Sequence, residues 1–302
     1  MNLPSPYALF LGDADPLSAK TAAGIAHWRP ERCVAQITLP ACTADLKLPT
    51  LSPKDAAAAG ARLLIVGIAD FGGAIAPRWI PTLMESLREG LDLAAGLHHR
   101  LADIPELAHA AQKLGRRLID VRQPRPEQTP FATGGKRTGK RLLSVGTDCA
   151  VGKMFASLAI ERELRTRGHA ATFRATGQTG IFIAGSGVSV DAVVSDFVAG
   201  AAEALSPANA PNHWDLIEGQ GSLHHPAYAT PSFEVAIADN ERAARLTNPD
   251  ARVVGISVNT STASEEAALG YLRSVERRLG LPCCDPVRTG VGAIVDRLLR
   301  IA

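Results

Sequence analysis

The sequence predicts an α/β fold in two parallel-sheet domains, on three observations. Its 302 residues exceed what one typical domain uses and suffice for two separate cores. Short apolar runs alternate with helix-like segments, the rhythm of strand–helix–strand units wound into a parallel sheet. That rhythm breaks once, at 123–140 (QPRPEQTPFATGGKRTGK), where three prolines, three glycines and no apolar periodicity mark a linker. The expected organisation is therefore a domain over 1–122, a linker over 123–140 and a domain over 141–302.

Composition narrows the function classes. The 32 basic and 30 acidic residues nearly cancel and 46% of the chain is hydrophobic, the profile of a soluble globular protein; no polyanion or nucleic-acid partner is implied. The start, MNLPSPYALFLGDADP, has no basic region and only a short apolar run before Asp13. Neither a signal peptide nor a membrane span is expected, and the protein reads as cytoplasmic. Cys33, Cys42, Cys149, Cys283 and Cys284 are odd in number and lack C-x-x-C spacing, so reduced thiols are expected rather than a disulfide framework or a zinc site.

In the first domain the strand runs are Tyr7–Leu11, Cys33–Thr38, Arg62–Gly67, Leu91–Leu97 and Arg117–Val121. Helix-like segments lie between them at Ser18–Trp28, Lys54–Ala59, Trp79–Arg88 and Pro105–Leu114. The expectation is a Rossmann-like parallel sheet. Gly12-Asp13 and Gly67–Gly73 sit at strand ends where such sheets hold ligands, yet neither carries G-x-G-x-x-G, so a dinucleotide site has little support.

The second domain restarts at Arg141. A strand (Arg141–Val145) meets a glycine loop and a helix (Met154–Arg167). A strand (Ala170–Ala175), a glycine-rich stretch and a helix (Asp191–Leu205) follow. Then come a strand (Trp214–Ile217), a helix (Phe233–Leu246), a strand (Arg252–Val258), a helix (Ser264–Leu279), a short Pro/Cys strand and a terminal helix (Val291–Ile301).

The chemistry centres on Gly146-Thr147-Asp148-Cys149-Ala150-Val151-Gly152-Lys153-Met154. Between a strand and a helix, backbone N–H groups of such a turn pool with the helix N-terminus to bind a pyrophosphate, and Lys153 adds a full charge. Five residues separate Gly146 from Gly152, one more than the usual four. With Thr147 and Asp148 in place, this spacing resembles the dethiobiotin-synthetase branch of P-loop proteins. Trp214-Asp-Leu-Ile-Glu218-Gly-Gln-Gly-Ser222 resembles that branch's E-G-x-G strand end, where the acid meets a metal or the active-site water; the competing reading has Glu218 capping a helix. Met154 stands where nucleotide hydrolases carry the Ser or Thr that completes a Mg²⁺ shell, and a thioether is a poor ligand for a hard cation. Metal-dependent ATP hydrolysis is thus disfavoured, no metal is expected, and a metal-free pyrophosphate handle such as that of coenzyme A fits.

Further motifs extend the likeness: ATGQTG, IAGSGV, DAVVSDFVAGAAEAL, WDLIEGQGSLHHPAY, ERAARLTNP, VVGISVNTS and LPCCDPVRTG. Together with GTDCAVGKM they resemble the D-glutamate N-acetyltransferase family, and LFLGD, LIVGIADFGG and RLIDVRQP of the first domain are similar too. The resemblance implies acetyl transfer from acetyl-CoA, as co-substrate, to the amine of D-glutamate, by a Rossmann-like domain followed by a P-loop domain. One departure stands out. Between His225–Tyr228 and Pro231–Glu234 the family has several dozen more residues, including an apolar strand. This chain crosses in a few, so a strand is expected to be missing, or replaced by Phe233–Ala238, and activity lowered or lost.

Within that frame the loop residues Gly146 to Met154 are cofactor-binding candidates, and Cys149 is either a packed thiol or an acyl relay. Asn259 and Asp285 follow strands where related folds read a purine. The incoming ammonium ion must lose a proton before attacking the thioester, so a base is needed. Glu218 is favoured, with His224 and His225 as neighbours in the motif. Arg174, Gln178, Thr179, Asp196 and Arg288 are substrate-binding candidates, the arginines as carboxylate partners. A small amino-acid substrate and a homo-oligomer are expected, with no membrane partner. Two rivals stay open: an ATP-dependent ligase of the dethiobiotin-synthetase kind, and a catalytically silent nucleotide or CoA sensor.

Overall fold

The computed structural model describes residues 3–69, 72–224 and 230–301. By its internal contacts the chain divides into two units, Met1–Pro130 with Gly177–Ala201, and Phe131–Thr176 with Ala202–Ala302.

In the first unit β1 (Tyr7–Gly12), β2 (Cys33–Thr38), β3 (Leu63–Val66), β4 (Asp92–Ala95) and β5 (Leu118–Asp120) form one sheet in the order β2-β1-β3-β4-β5. All pairings are parallel. The order reverses between β1 and β3, the switch point at whose carboxyl end doubly wound sheets hold ligands. YALFLG of β1 and LLIV of β3 are buried throughout, as strands covered on both faces require. The helices α1 (Lys20–Trp28), α2 (Pro53–Ala58), α3 (Ile80–Arg88) and α4 (Pro105–Leu114) return the chain between strands. Ser52 caps α2 by accepting from the Asp55 amide, and left-handed Gly115 ends α4.

Gly177–Ala201 completes this unit, and here the structure departs from the reading of a glycine-rich loop followed by one long helix. Gln178–Ala184 is a helix, α6, with Ile181, Phe182 and Ile183 buried. It lies against α1, where Thr21 Oγ1 and Thr179 Oγ1 stand 3.1 Å apart. A methyl at Gly96 would meet the Gln178 side chain at 2.3 Å, so glycine admits the helix. Of the expected helix Asp191–Leu205, only Val198–Leu205 (α7) is α-helical. Val190–Ala192 and Ser195–Phe197 are 3-10 turns, because Val193 and the Val194 cap between them take extended ψ values of 131° and 136°.

The second unit holds β6 (Lys140–Leu143), β7 (Ala171–Arg174) and β8 (Trp214–Ile217) in the parallel order β6-β8-β7. Separately, β9 (Ile256–Ser257) pairs with β10 (Cys283–Cys284), also in parallel. Helix α5 (Lys153–Thr166) packs on β7 and β8, and α9 (Glu265–Leu279) and α10 (Gly292–Ile301) on β10. Phe233–Arg245 is a helix, α8, so the alternative in which Phe233–Ala238 supplies a strand is set aside. The expected strand Arg252–Val258 is paired only at Ile256–Ser257. Its apolar run, VVGISV, reads as an interior strand, yet among the described residues β9 has a neighbour on one side only, as does β6.

Candidate phosphate-binding site

The glycine loop leaves β6 at Ser144 and enters α5 at Lys153. Gly152, at φ +99°, is the left-handed residue before the helix, and Ala150 takes φ +55°. Left-handed residues are a feature of loops whose successive N–H groups form a concavity for anions. The Asp148 carboxylate closes on its own loop, accepting from the Cys149 amide at 2.5 Å. Lys153 Nζ donates to the Asp148 carbonyl at 2.7 Å and to the Gly221 carbonyl at 2.8 Å, spanning the two motifs. Burial lowers its pKa, against the raising influence of Cys149, Asp148 and Glu218. Cys149 is exposed, and Met154 is the second residue of α5.

Three hydroxyl-bearing residues not named as site candidates, one of them within ATGQTG, hold the strand ends together. Ser157 Oγ donates to Ser144 Oγ at 3.0 Å, and Ser144 Oγ accepts from the Gly219 amide at 3.1 Å. A methyl at Gly219 would stand 1.8 Å from the Ser144 carbonyl, so only glycine permits this approach. Glu218, buried at the end of β8, accepts from the Thr176 amide at 3.0 Å, while Thr176 Oγ1 donates to the Glu218 carbonyl at 2.7 Å. His224 Nε2 stands 3.1 Å from the Asp239 carboxylate on α8. His225 lies outside the described residues.

The remaining candidates divide. Gly146, Thr147, Ala150, Val151, Gly152, Lys153 and Asn259 line one cavity of about 1050 Å³. Asp285 is buried beside it in sequence but tied into a knot: it accepts from the Thr260 amide (2.9 Å) and hydroxyl (2.6 Å) and from the Val287 and Arg288 amides. Burial pushes the Asp285 pKa up, the hydrogen bonds pull it down, and the net shift is downward. Arg288 donates to Thr260 Oγ1 and to the Thr260 and Ala263 carbonyls. Arg174 donates Nε to the buried Asp215 at 2.9 Å, where Ser206 and Asn209 also donate. Both arginines expected to grip substrate are thus engaged as struts. Gln178, Thr179 and Asp196 belong to the first unit; Asp196 is exposed on its 3-10 turn. Among the described residues no cluster of three or more His, Cys, Asp or Glu is arranged to hold a metal, and no helix is long and apolar enough to cross a membrane.

A five-stranded doubly wound sheet followed by a unit built on a phosphate loop defines a Rossmann-like and P-loop α/β protein. Family profiles describe the same pair: a Rossmann-like domain of unknown function (DUF1611_N) over 36–124, and a P-loop domain of unknown function (DUF1611_C) over 130–236 and 228–295. The chain belongs to the DUF1611 family. Two relatives are named D-glutamate N-acetyltransferase. That of Tritonibacter scottomollicae is 47% identical, the match covering 98% of this chain and 99% of the relative. That of a Pseudoalteromonas species is 43% identical over 99% and 100%. The crystal structure of a DUF1611 family protein from Anabaena variabilis superposes with a TM-score of 0.88 at 30% identity, covering 98% and 100%. The family and fold class read from the motifs are borne out. The first relative aligns over 331 positions against 302 residues here, so at least 29 positions of that alignment have no partner in this chain, and the P-loop profile matches in two ranges that overlap at 228–236.

Proposed function

We propose that this protein transfers the acetyl group of acetyl-CoA to the amine of D-glutamate. The observation that supports it most is likeness over nearly the whole chain to two enzymes of that name. Gly146 to Met154 would hold the CoA pyrophosphate through backbone N–H groups and Lys153, with no hydroxyl spent on a metal. Asn259, on the same cavity, would meet the adenine end; Asp285 would hold that rim in shape through Thr260. Glu218 would take a proton from the ammonium group, with His224 as the second candidate. The freed amine attacks the thioester carbonyl carbon, the C–N bond forms, the C–S bond breaks, and the CoA thiolate leaves to be protonated. The reading carries with it a cytoplasmic location and a homo-oligomeric assembly.

The test is free-thiol release from acetyl-CoA in the presence of D- or L-glutamate, with Lys153→Ala as control. Release that depends on D-glutamate and falls in the variant is the expected result. Phosphate release from ATP and Mg²⁺ in its place would favour the ligase rival, and ligand-dependent thermal stabilisation without turnover the sensor.

A further inference from the structure

Gly12-Asp13, which the phosphate-loop chemistry leaves unused, closes β1 beside the point where the strand order of the first sheet reverses. Open α/β sheets hold ligands in the crevice at that carboxyl edge. A cavity of about 200 Å³ lies there, and the ends of three neighbouring strands build it. Asp13, Asp15 and Ser18 follow β1, Thr43 follows β2, and Arg78 and Trp79 follow β3. All belong to the first unit.

The walls are fixed by contacts of their own. Gly12 leaves β1 at φ +52°, and a methyl there would stand 3.0 to 3.2 Å from Ile68, Trp79 and Phe10, so glycine lets the turn sit directly on the core. The Ala14 carbonyl accepts from the Thr43 and Ala44 amides, both at 3.1 Å, which ties the loop after β2 to the loop after β1. Buried Trp79 donates its indole N–H to Asp13 Oδ1 at 2.9 Å. Arg78 brings Nε and a terminal nitrogen to 2.7 Å from Asp13 Oδ2. The Arg78 and Trp79 hydrogen bonds hold the Asp13 carboxyl below its ordinary pKa, so it is a carboxylate at neutral pH.

Both signs of charge therefore meet in one small space. Asp15 is exposed and accepts from the Ser18 amide at 2.7 Å, with further lone pairs on its two oxygens. Two carboxylates against one guanidinium leave an excess negative charge, which an ammonium group balances. The guanidinium fork has more donors than the Asp13 contacts use, and their geometry matches a second carboxylate. A zwitterion answers both demands, where a simple cation or anion answers one. The volume is below the roughly 300–1,000 Å³ of sites for drug-sized ligands, so a small metabolite fits and a dinucleotide does not. The lack of G-x-G-x-x-G in this domain agrees.

We propose that this cavity binds a free α-amino acid, its ammonium group between Asp13 and Asp15 and its carboxylate on Arg78. The site lies wholly in the first unit and does not rest on the acyl-transfer reading.

The test titrates the full chain with glycine, D- and L-alanine, and D- and L-glutamate, and follows amide hydrogen exchange at 12–18 and 39–44. The expected result is saturable slowing of exchange at both stretches by at least one of these amino acids. Affinity should be about 10–100-fold weaker in Asp15→Asn, whose amide oxygen still accepts from Ser18, and in Arg78→Gln, as loss of a charge-assisted hydrogen bond requires. Asp15→Asn, at an exposed position, should keep the wild-type Tm, so weaker binding there is not unfolding. No slowing by any of the amino acids, equal slowing by methylammonium or acetate alone, or unchanged affinity in Asp15→Asn each overturns the proposal. The titration is repeated in Glu218→Gln: slowing at 12–18 that persists there supports a site of its own, and slowing that disappears assigns the effect to an acceptor at Glu218 and overturns it. Thiol release is not read, so failure of the acyltransferase reading is a separate result.

Discussion

The two sheets differ in what borders their interior strands. In the first unit β1 has β2 on one side and β3 on the other, and every residue of YALFLG is buried. In the second, β6 has β8 alone among the described residues, and its last residue, Leu143, is more than half exposed. Composition contributes, since β6 reads KRLL against YALFLG, yet apolar Leu143 is exposed where β1 buries every leucine, and there a neighbour makes the difference. A strand's burial is a property of the sheet as well as of its sequence: the apolar run around β9 has, among the described residues, the surroundings of an edge.

Four measurements would break or sharpen this contrast. The largest effect concerns whether the second unit carries chemistry: Glu218→Gln, isosteric and uncharged, is expected to lower D-glutamate-dependent thiol release by about 10²–10⁴-fold, the usual worth of a positioned base. Circular dichroism should be unchanged, and wild-type turnover in the variant would remove Glu218 from the mechanism. Next comes packing. Leu9→Ala, in the middle of β1, should cost about 2–5 kcal/mol by urea denaturation, whereas Leu143→Ala should stay within about 0.5 kcal/mol. A large cost at Leu143 would mean its outer edge is covered.

Smaller is Lys153→Ala, expected to weaken CoA binding by about 10–100-fold, since a charge-assisted hydrogen bond contributes about 1.5–3 kcal/mol. Isothermal titration measures it without turnover. Smallest is acid sensitivity at the rim of the second unit. The pKa of Asp285 is lowered in the fold from 3.8, so its contribution is present above that value and lost as pH falls through the folded one. Asp285→Asn should flatten the acid limb of the stability curve below about pH 4, with little change in its slope near neutrality; an unchanged acid limb would contradict the hydrogen-bonded carboxylate.

Much of the fold was legible where pattern and surroundings agree. Cys33–Thr38, Pro105–Leu114 and Trp214–Ile217 fall at their expected bounds because each apolar run meets the partner it is patterned for. Gln178–Ala184 hid because Gly177 and Gly180 read as loop, while its buried Ile181-Phe182-Ile183 is a contiguous block without helical period. Arg252–Val258 shrank to two paired residues because its partner β10 offers only Cys283 and Cys284, a length that the run's own pattern does not encode. In the site, the glycine loop announced itself through backbone requirements. Ser144, Ser157 and Thr176 did not, because a hydroxyl's role is set by whichever strand end arrives beside it. The pairing of Arg174 was hidden for the same reason: its partner Asp215 lies on the neighbouring strand.

The excursion of Gly177–Ala201 into the first unit bears on how the gene can be cut. Cloning the halves apart at the proline-rich linker would leave the first without α6, exposing the groove at Gly96, and the second with an orphan loop bearing Ile181, Phe182 and Ile183 in water. The two halves are inseparable as expression products, and complementation from two plasmids would need its break points at Pro130, Thr176 and Ala201 together.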